Sequence, residues 1–136
     1  MTALDPVACG LPHRAPFIFL DEVRELQAGE HALCAKLFAG SEPFFAGHFP
    51  GQPLVPGVIL AEAMAQTAGI AAGRPGVSLR LSAIKTMKFL APVAPESTVI
   101  FYAEKMAEIG GLLQFRTDAK VDGALVAEGI VVLSAG

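Results

Sequence analysis

The chain has 136 residues, of which 53% are hydrophobic and 17% charged, and a formal net charge of −3. That length suits one domain with a substantial core, and the composition excludes a disordered tail. The negative balance argues against a nucleic-acid binder, and the two cysteines, Cys9 and Cys34, have no metal-ligand spacing and read as free thiols in a reducing cytoplasm.

The N-terminus has no basic segment followed by a long apolar core, so no signal peptide is expected. Residues 1–10 read as a loose lead-in. Leu11-Pro12-His13-Arg14-Ala15-Pro16 is held extended by its two prolines. A histidine between prolines reads as a hydrogen-bonding anchor, and His13 is taken as one. Residues 17–26 open with an apolar run and predict a first strand, with Ala28-Gly29 as the turn that follows. Residues 30–38 alternate, with Leu33, Ala35 and Leu37 on one face and Ala32, Cys34 and Lys36 on the other. They predict a second strand antiparallel to the first. His31, near its start, is expected at the surface.

Residues 44–55 are rich in proline and glycine, which predicts neither regular helix nor regular strand. His48 lies in this loop. Pro56 then starts a helix expected over 57–73, roughly 25 Å long at 1.5 Å per residue. It is apolar on nearly every side. Glu62 and Gln66, four apart, form one narrow polar stripe. An all-round apolar helix is a buried helix. As a membrane span it would be only just long enough and would place Glu62 in lipid, so enclosure by protein is expected. Phe44, Phe45 and Phe49 read as core or as the wall of a tunnel.

Arg74-Pro75-Gly76 stops the helix. Strands are expected over 79–90, 97–108, 112–121 and 124–134, with Asp122-Gly123 a strong hairpin signal. Six strands and one long apolar helix define an α+β domain spanning residues 1–136. Its most economical form is a curved, mostly antiparallel sheet wrapped around the helix. Little chain remains to cover edge strands, so a homodimer joining two sheets edge to edge is expected. His13, His31 and His48 lack the paired spacing of a metal site.

Three segments, Leu11-Pro12-His13-Arg14-x-Pro16-Phe17, Gly47-His48-Phe49-Pro50-Gly51-x-Pro53-x-x-Pro56-Gly57-Val58 and Glu62-Ala63-Met64-Ala65-Gln66, resemble the 3-hydroxyacyl-[acyl-carrier-protein] dehydratases of the hot-dog fold, FabZ type. Lys88-Phe89-Leu90-Ala91-Pro92-Val93-Ala94-Pro95 is similar to the family's Arg-Phe-Lys-Arg-Pro-Val-Val-Pro stretch, with Leu90 and Ala91 in place of two basic residues. The resemblance implies a hot-dog fold and a catalytic pair of His48 from one subunit and Glu62 from the other. It also implies a homodimer or trimer of dimers, an acyl carrier protein as partner, and a role in fatty-acid or specialised acyl biosynthesis. No cofactor is implied beyond the carrier's own phosphopantetheine, which brings the substrate.

Dehydrating a 3-hydroxyacyl thioester requires a base for the C2 proton, a donor for the thioester oxygen and an acid for the departing hydroxyl. Histidine, whose ordinary pKa is ~6.5, suits the base role at His48. The first N–H groups of the helix, Gly57 and Val58, suit the thioester oxygen, since they have no internal partner and sit at the positive end of the dipole. Glu62 suits the acid, its apolar helical neighbours Val58, Ile59, Ala63 and Ala65 disfavouring the charged form, and Gln66 is placed to orient it. Between Ala63 and Pro95 the charged residues are Arg74, Arg80, Lys85 and Lys88, all basic. They are candidates for a carrier-protein landing patch. Two further readings stand beside the dehydratase: an acyl thioesterase on the same fold, and a non-catalytic acyl-thioester-binding subunit.

Overall fold

The computed structural model describes residues 3–48 and 50–135. Phe49 therefore lies outside the described residues. Six strands form one antiparallel sheet: β1 (Glu22–Gln27), β2 (His31–Phe38), β3 (Leu79–Phe89), β4 (Ser97–Ile109), β5 (Leu112–Val121) and β6 (Ala124–Ala135). Their spatial order is β1-β2-β4-β5-β6-β3. A short helix, α1 (Phe44–Gly47), precedes the long one, α2 (Gly57–Ala71), which touches all six strands.

Alternation explains the packing. Along β5, Leu113, Phe115, Thr117 and Ala119 turn inward and are buried, and Val99, Phe101 and Ala103 do the same along β4. They share one core with Ala63, Met64, Ala68 and Ala71 of α2, and the small alanine side chains let the helix approach the sheet closely. At the C-terminal end of α2 the Ala71 carbonyl accepts from Gly29 N–H at 2.8 Å, so the β1–β2 turn satisfies a group the helix cannot. Gly73 follows at φ +64°, and a Cβ there would stand 2.6 Å from Ala28 Cβ. The Asp122-Gly123 turn joins β5 and β6 with both residues at positive φ, as that pair predicts.

Three expectations are corrected. The first strand begins at Glu22, not at Phe17. Phe17–Leu20 makes no ladder because its backbone groups are taken elsewhere: Phe19 N–H and Phe17 C=O both bond the Gln66 side chain. The lead-in is docked, not loose: Leu4 and Val23 exchange two backbone hydrogen bonds of 2.8 Å, and Pro6 is buried. Residues 44–47 form one helical turn, closed by Phe45 N–H to Glu42 C=O and anchored by the buried Phe45 side chain.

The two sheet edges differ. β1 is partly covered by the Leu4 bridge. β3 has β6 on one side only, and Arg80 through Thr86 are exposed. Leu81, Ile84 and Phe89 are large apolar side chains left in solvent along this edge. An open edge of this length is a template for pairing with another chain.

Candidate active site

α2 carries its polar stripe as expected, and the stripe is tightly wired. Gln66 is 1% exposed. Its Nε2 donates to Phe17 C=O and to Glu62 Oε2, and its Oε1 accepts from Phe19 N–H, each at 3.0 Å. A carbonyl only accepts and a backbone N–H only donates, so the amide orientation is forced. Both Nε2 hydrogens are used, and Glu62 Oε2 is held as an acceptor.

His13 Nε2 lies 3.4 Å from the same oxygen, and its ring stacks on Phe17 with centroids 6.1 Å apart. The surroundings of the Glu62 carboxyl are thus not the wholly apolar ones its helical neighbours suggested; two nitrogens face it. His13, read from the sequence as a loop anchor, is brought to Glu62 by the stiff segment between Pro12 and Pro16. Its sequence signals were that flanking and its place in the Leu11–Phe17 segment that carries the resemblance. Glu62 opens onto a cavity of about 310 Å³ lined also by Pro12, His13, Arg80 and Leu81.

His48 sits just past α1, its Nδ1 3.2 Å from Leu54 C=O. Because the carbonyl can only accept, Nδ1 carries a hydrogen, and in the neutral imidazole Nε2 is then the acceptor nitrogen. The loop is pinned where it leaves: Val55 N–H donates to Val93 C=O at 2.8 Å. His48 opens onto a second cavity of about 360 Å³ with Gly57, Leu60, Phe89 and Leu90. Within the first turn of α2, Ile59 and Leu60 N–H donate to Pro56 C=O at 2.9 and 3.2 Å, and Gly57 and Val58 N–H have no intrahelical acceptor. A Cβ at residue 57 would stand 3.2 Å from the Phe89 ring, so glycine is what lets that ring close against the helix start.

The two cavities are separate. Leu60 and Glu62 are two residues apart, roughly 200° around the helix, so they face opposite sides of α2. The Glu62 cavity is walled by Leu79–Leu81, the start of β3; the His48 cavity is walled by Phe89, its end. Ten residue steps along a strand span roughly 33 Å.

The four basic residues are not gathered into one patch. Arg74 Nη2 is bonded to Glu108 Oε1 at 2.6 Å, and with Lys105 it holds the Glu108 carboxyl down to about 2. Arg80 lines the Glu62 cavity, Lys85 a groove beside Ile109 and Leu112, and Lys88 a groove with Arg116 and Glu128. Burial pushes the Cys34 thiol up to about 12, which makes it a poor nucleophile. Among the described residues no cluster of His, Cys, Asp or Glu is placed to hold a metal ion, and no helix is long and apolar enough to cross a membrane.

Comparison with known proteins agrees with this architecture. Residues 11–130 match the FabA-like domain family. The chain is 43% identical over 122 residues to a 3-hydroxyacyl-[acyl-carrier-protein] dehydratase FabZ of Rhizobium johnstonii, covering 87% of this chain and 79% of the relative. The FabZ of Sinorhizobium fredii gives the same identity and coverage. Among solved structures, the dehydratase heterocomplex ApeI:P from Xenorhabdus doucetiae superposes with a TM-score of 0.82 at 16% identity, over 98% of this chain and 91% of that one. A hypothetical thioesterase with coenzyme A from Streptococcus pneumoniae gives 0.69 at 11% identity, over 85% of this chain and 84% of that one. Those two likenesses define the hot-dog fold. The chain belongs to the FabA-like domain family, within its FabZ-type dehydratases.

Proposed function

We propose that the chain works as a homodimer whose two active sites each combine His48 of one subunit with Glu62 of the other. In this reading the pair carries the reaction of the FabZ-type dehydratases, conversion of a 3-hydroxyacyl-[acyl-carrier-protein] thioester to the trans-2-enoyl thioester. The observation that carries the reading is the placement of the two cavities at opposite ends of an unpaired edge strand. Two copies of β3 paired antiparallel about a two-fold axis set the start of one strand beside the end of the other. The Glu62 cavity of each subunit then faces the His48 cavity of its partner.

The chemistry follows from the groups present. His48 Nε2 takes a proton from C2, and the electron pair moves toward the thioester carbonyl. The Gly57 and Val58 N–H groups, at the positive end of α2, hold the oxygen as it gains charge. Glu62 gives its proton to the 3-hydroxyl, which leaves as water while the C2–C3 double bond forms. His48 then holds the C2 proton and Glu62 is ionised, and one proton passed between them resets the site. The same edge pairing leaves Arg80 at the mouth of each site, and we assign it to the acidic carrier and the phosphate of its arm. Arg74 is committed to Glu108, and Lys85 and Lys88 face other grooves. We place the dimer in the cytoplasm with its carrier; its two thiols are free.

One assay tests the activity. With 3-hydroxyacyl and trans-2-enoyl thioesters, the expected result is interconversion, read as absorbance of the conjugated enoyl, with no free thiol released. Thiol release would mark a thioesterase, and binding without either signal a non-catalytic subunit.

A further inference from the structure

We infer that His13 is a positioning residue that fixes which carboxyl oxygen of Glu62 carries the acid proton. The inference rests on the reading of Glu62 as the general acid. Oε2 already accepts from Gln66 Nε2 at 3.0 Å, and His13 Nε2 faces the same atom at 3.4 Å. His13 Nδ1 is buried and has no hydrogen-bond partner among the described residues. A hydrogen on Nδ1 would therefore be an orphan donor in the interior, and it would leave a lone pair on Nε2 aimed at the lone pairs of Oε2. A hydrogen on Nε2 avoids both costs. The imidazole thus points an N–H at Oε2. With Gln66 donating to Oε2 and the His13 N–H directed at the same atom, the acid proton resides on Oε1, the oxygen this inference assigns to the substrate.

The loop is built to hold this geometry. Arg14 Nη1 donates to the carbonyls of Leu11, Pro12 and His13 at 3.0, 3.1 and 2.8 Å, which ties the backbone around the histidine. The His13 ring rests on Phe17, whose own carbonyl is bonded by Gln66. His13, Phe17, Gln66 and Glu62 form a closed circuit in which moving one member moves the carboxyl.

The test compares two substitutions of matched length. His13→Gln sets an amide N–H near the position of Nε2; His13→Met fills similar space with no donor. The expected result is a kcat lowered about tenfold in His13→Met, an unchanged KM for the 3-hydroxyacyl thioester, and recovery of most of the rate in His13→Gln. Equal rates in the two variants, or a loss confined to KM, would overturn the inference. Glu62→Gln is assayed alongside. If Glu62→Gln turns over at the normal rate, the acid role of Glu62 falls and His13 with it. If Glu62→Gln is impaired while the two variants at residue 13 match each other, only the role of His13 falls.

Discussion

Glu62→Gln is expected to cut dehydratase turnover by ~10²–10⁴-fold while the melting temperature stays near that of the parent chain, because the general acid proposed here would contribute that much and an amide has no acidic proton to give. The substitution is gentle on structure. The introduced amide keeps an oxygen where Glu62 Oε2 now accepts from Gln66, so Gln66 can keep its bonds to Phe17 and Phe19. Fold loss is thereby removed as an explanation for lost rate. His48→Ala is expected to have an effect of similar size, since it removes the imidazole proposed to take the C2 proton. Turnover by either variant at close to the parental rate, measured on a 3-hydroxyacyl or enoyl thioester, would remove that residue from the chemistry.

Gly129→Ala is the substitution with the largest expected effect on stability. Gly129 lies in β6, opposite Met87 of β3 and Thr117 of β5. A Cβ there would collide with the Thr86 backbone oxygen and would stand 2.8 Å from Met87 Sδ. The methionine can turn aside; the carbonyl is part of the bulged ladder between β3 and β6 and cannot move alone. Accommodating the methyl group means pushing the middle of β3 off the sheet, at a cost of about 2 kcal/mol or more. Urea denaturation reads the loss directly. Since β3 is the edge proposed to join the two subunits, sedimentation of the same variant shifts toward monomer. A variant with parental urea midpoint and parental mass would contradict this packing.

The sequence was most informative where the pattern is periodic. The ranges of β2 and β5 and the start of α2 follow from alternation, from Pro56 and from the Asp122-Gly123 turn, all of them local signals. It was least informative where a distant side chain does the work of a strand partner. Nothing in Phe17–Leu20 reveals that Gln66, 47 and 49 positions away from Phe19 and Phe17, satisfies its backbone. The same is true of His13, whose proximity to Glu62 exists only after residues 11–20 have folded onto α2. The basic residues show the limit from the other side. Their sequence neighbourhood lacks acids, yet Glu108 arrives from β4 to neutralise Arg74. His48 and Glu62 stood out in the sequence as chemistry-bearing residues of one stretch, but their opposite orientation on the folded chain depends on the helical turn between Leu60 and Glu62. That orientation is why a partner subunit enters the proposed site.

The most direct test of the two-subunit site is complementation. His48→Ala and Glu62→Gln chains carrying different tags are co-expressed, and the mixed dimer is isolated through both tags. One of its sites then joins an intact His48 to an intact Glu62 from the other chain, and the second site lacks both. The shared site predicts a mixed dimer with about half the parental turnover, because one of two symmetric sites is whole. A mixed dimer as inactive as its parents would mean that each subunit uses its own pair, and would contradict the shared site.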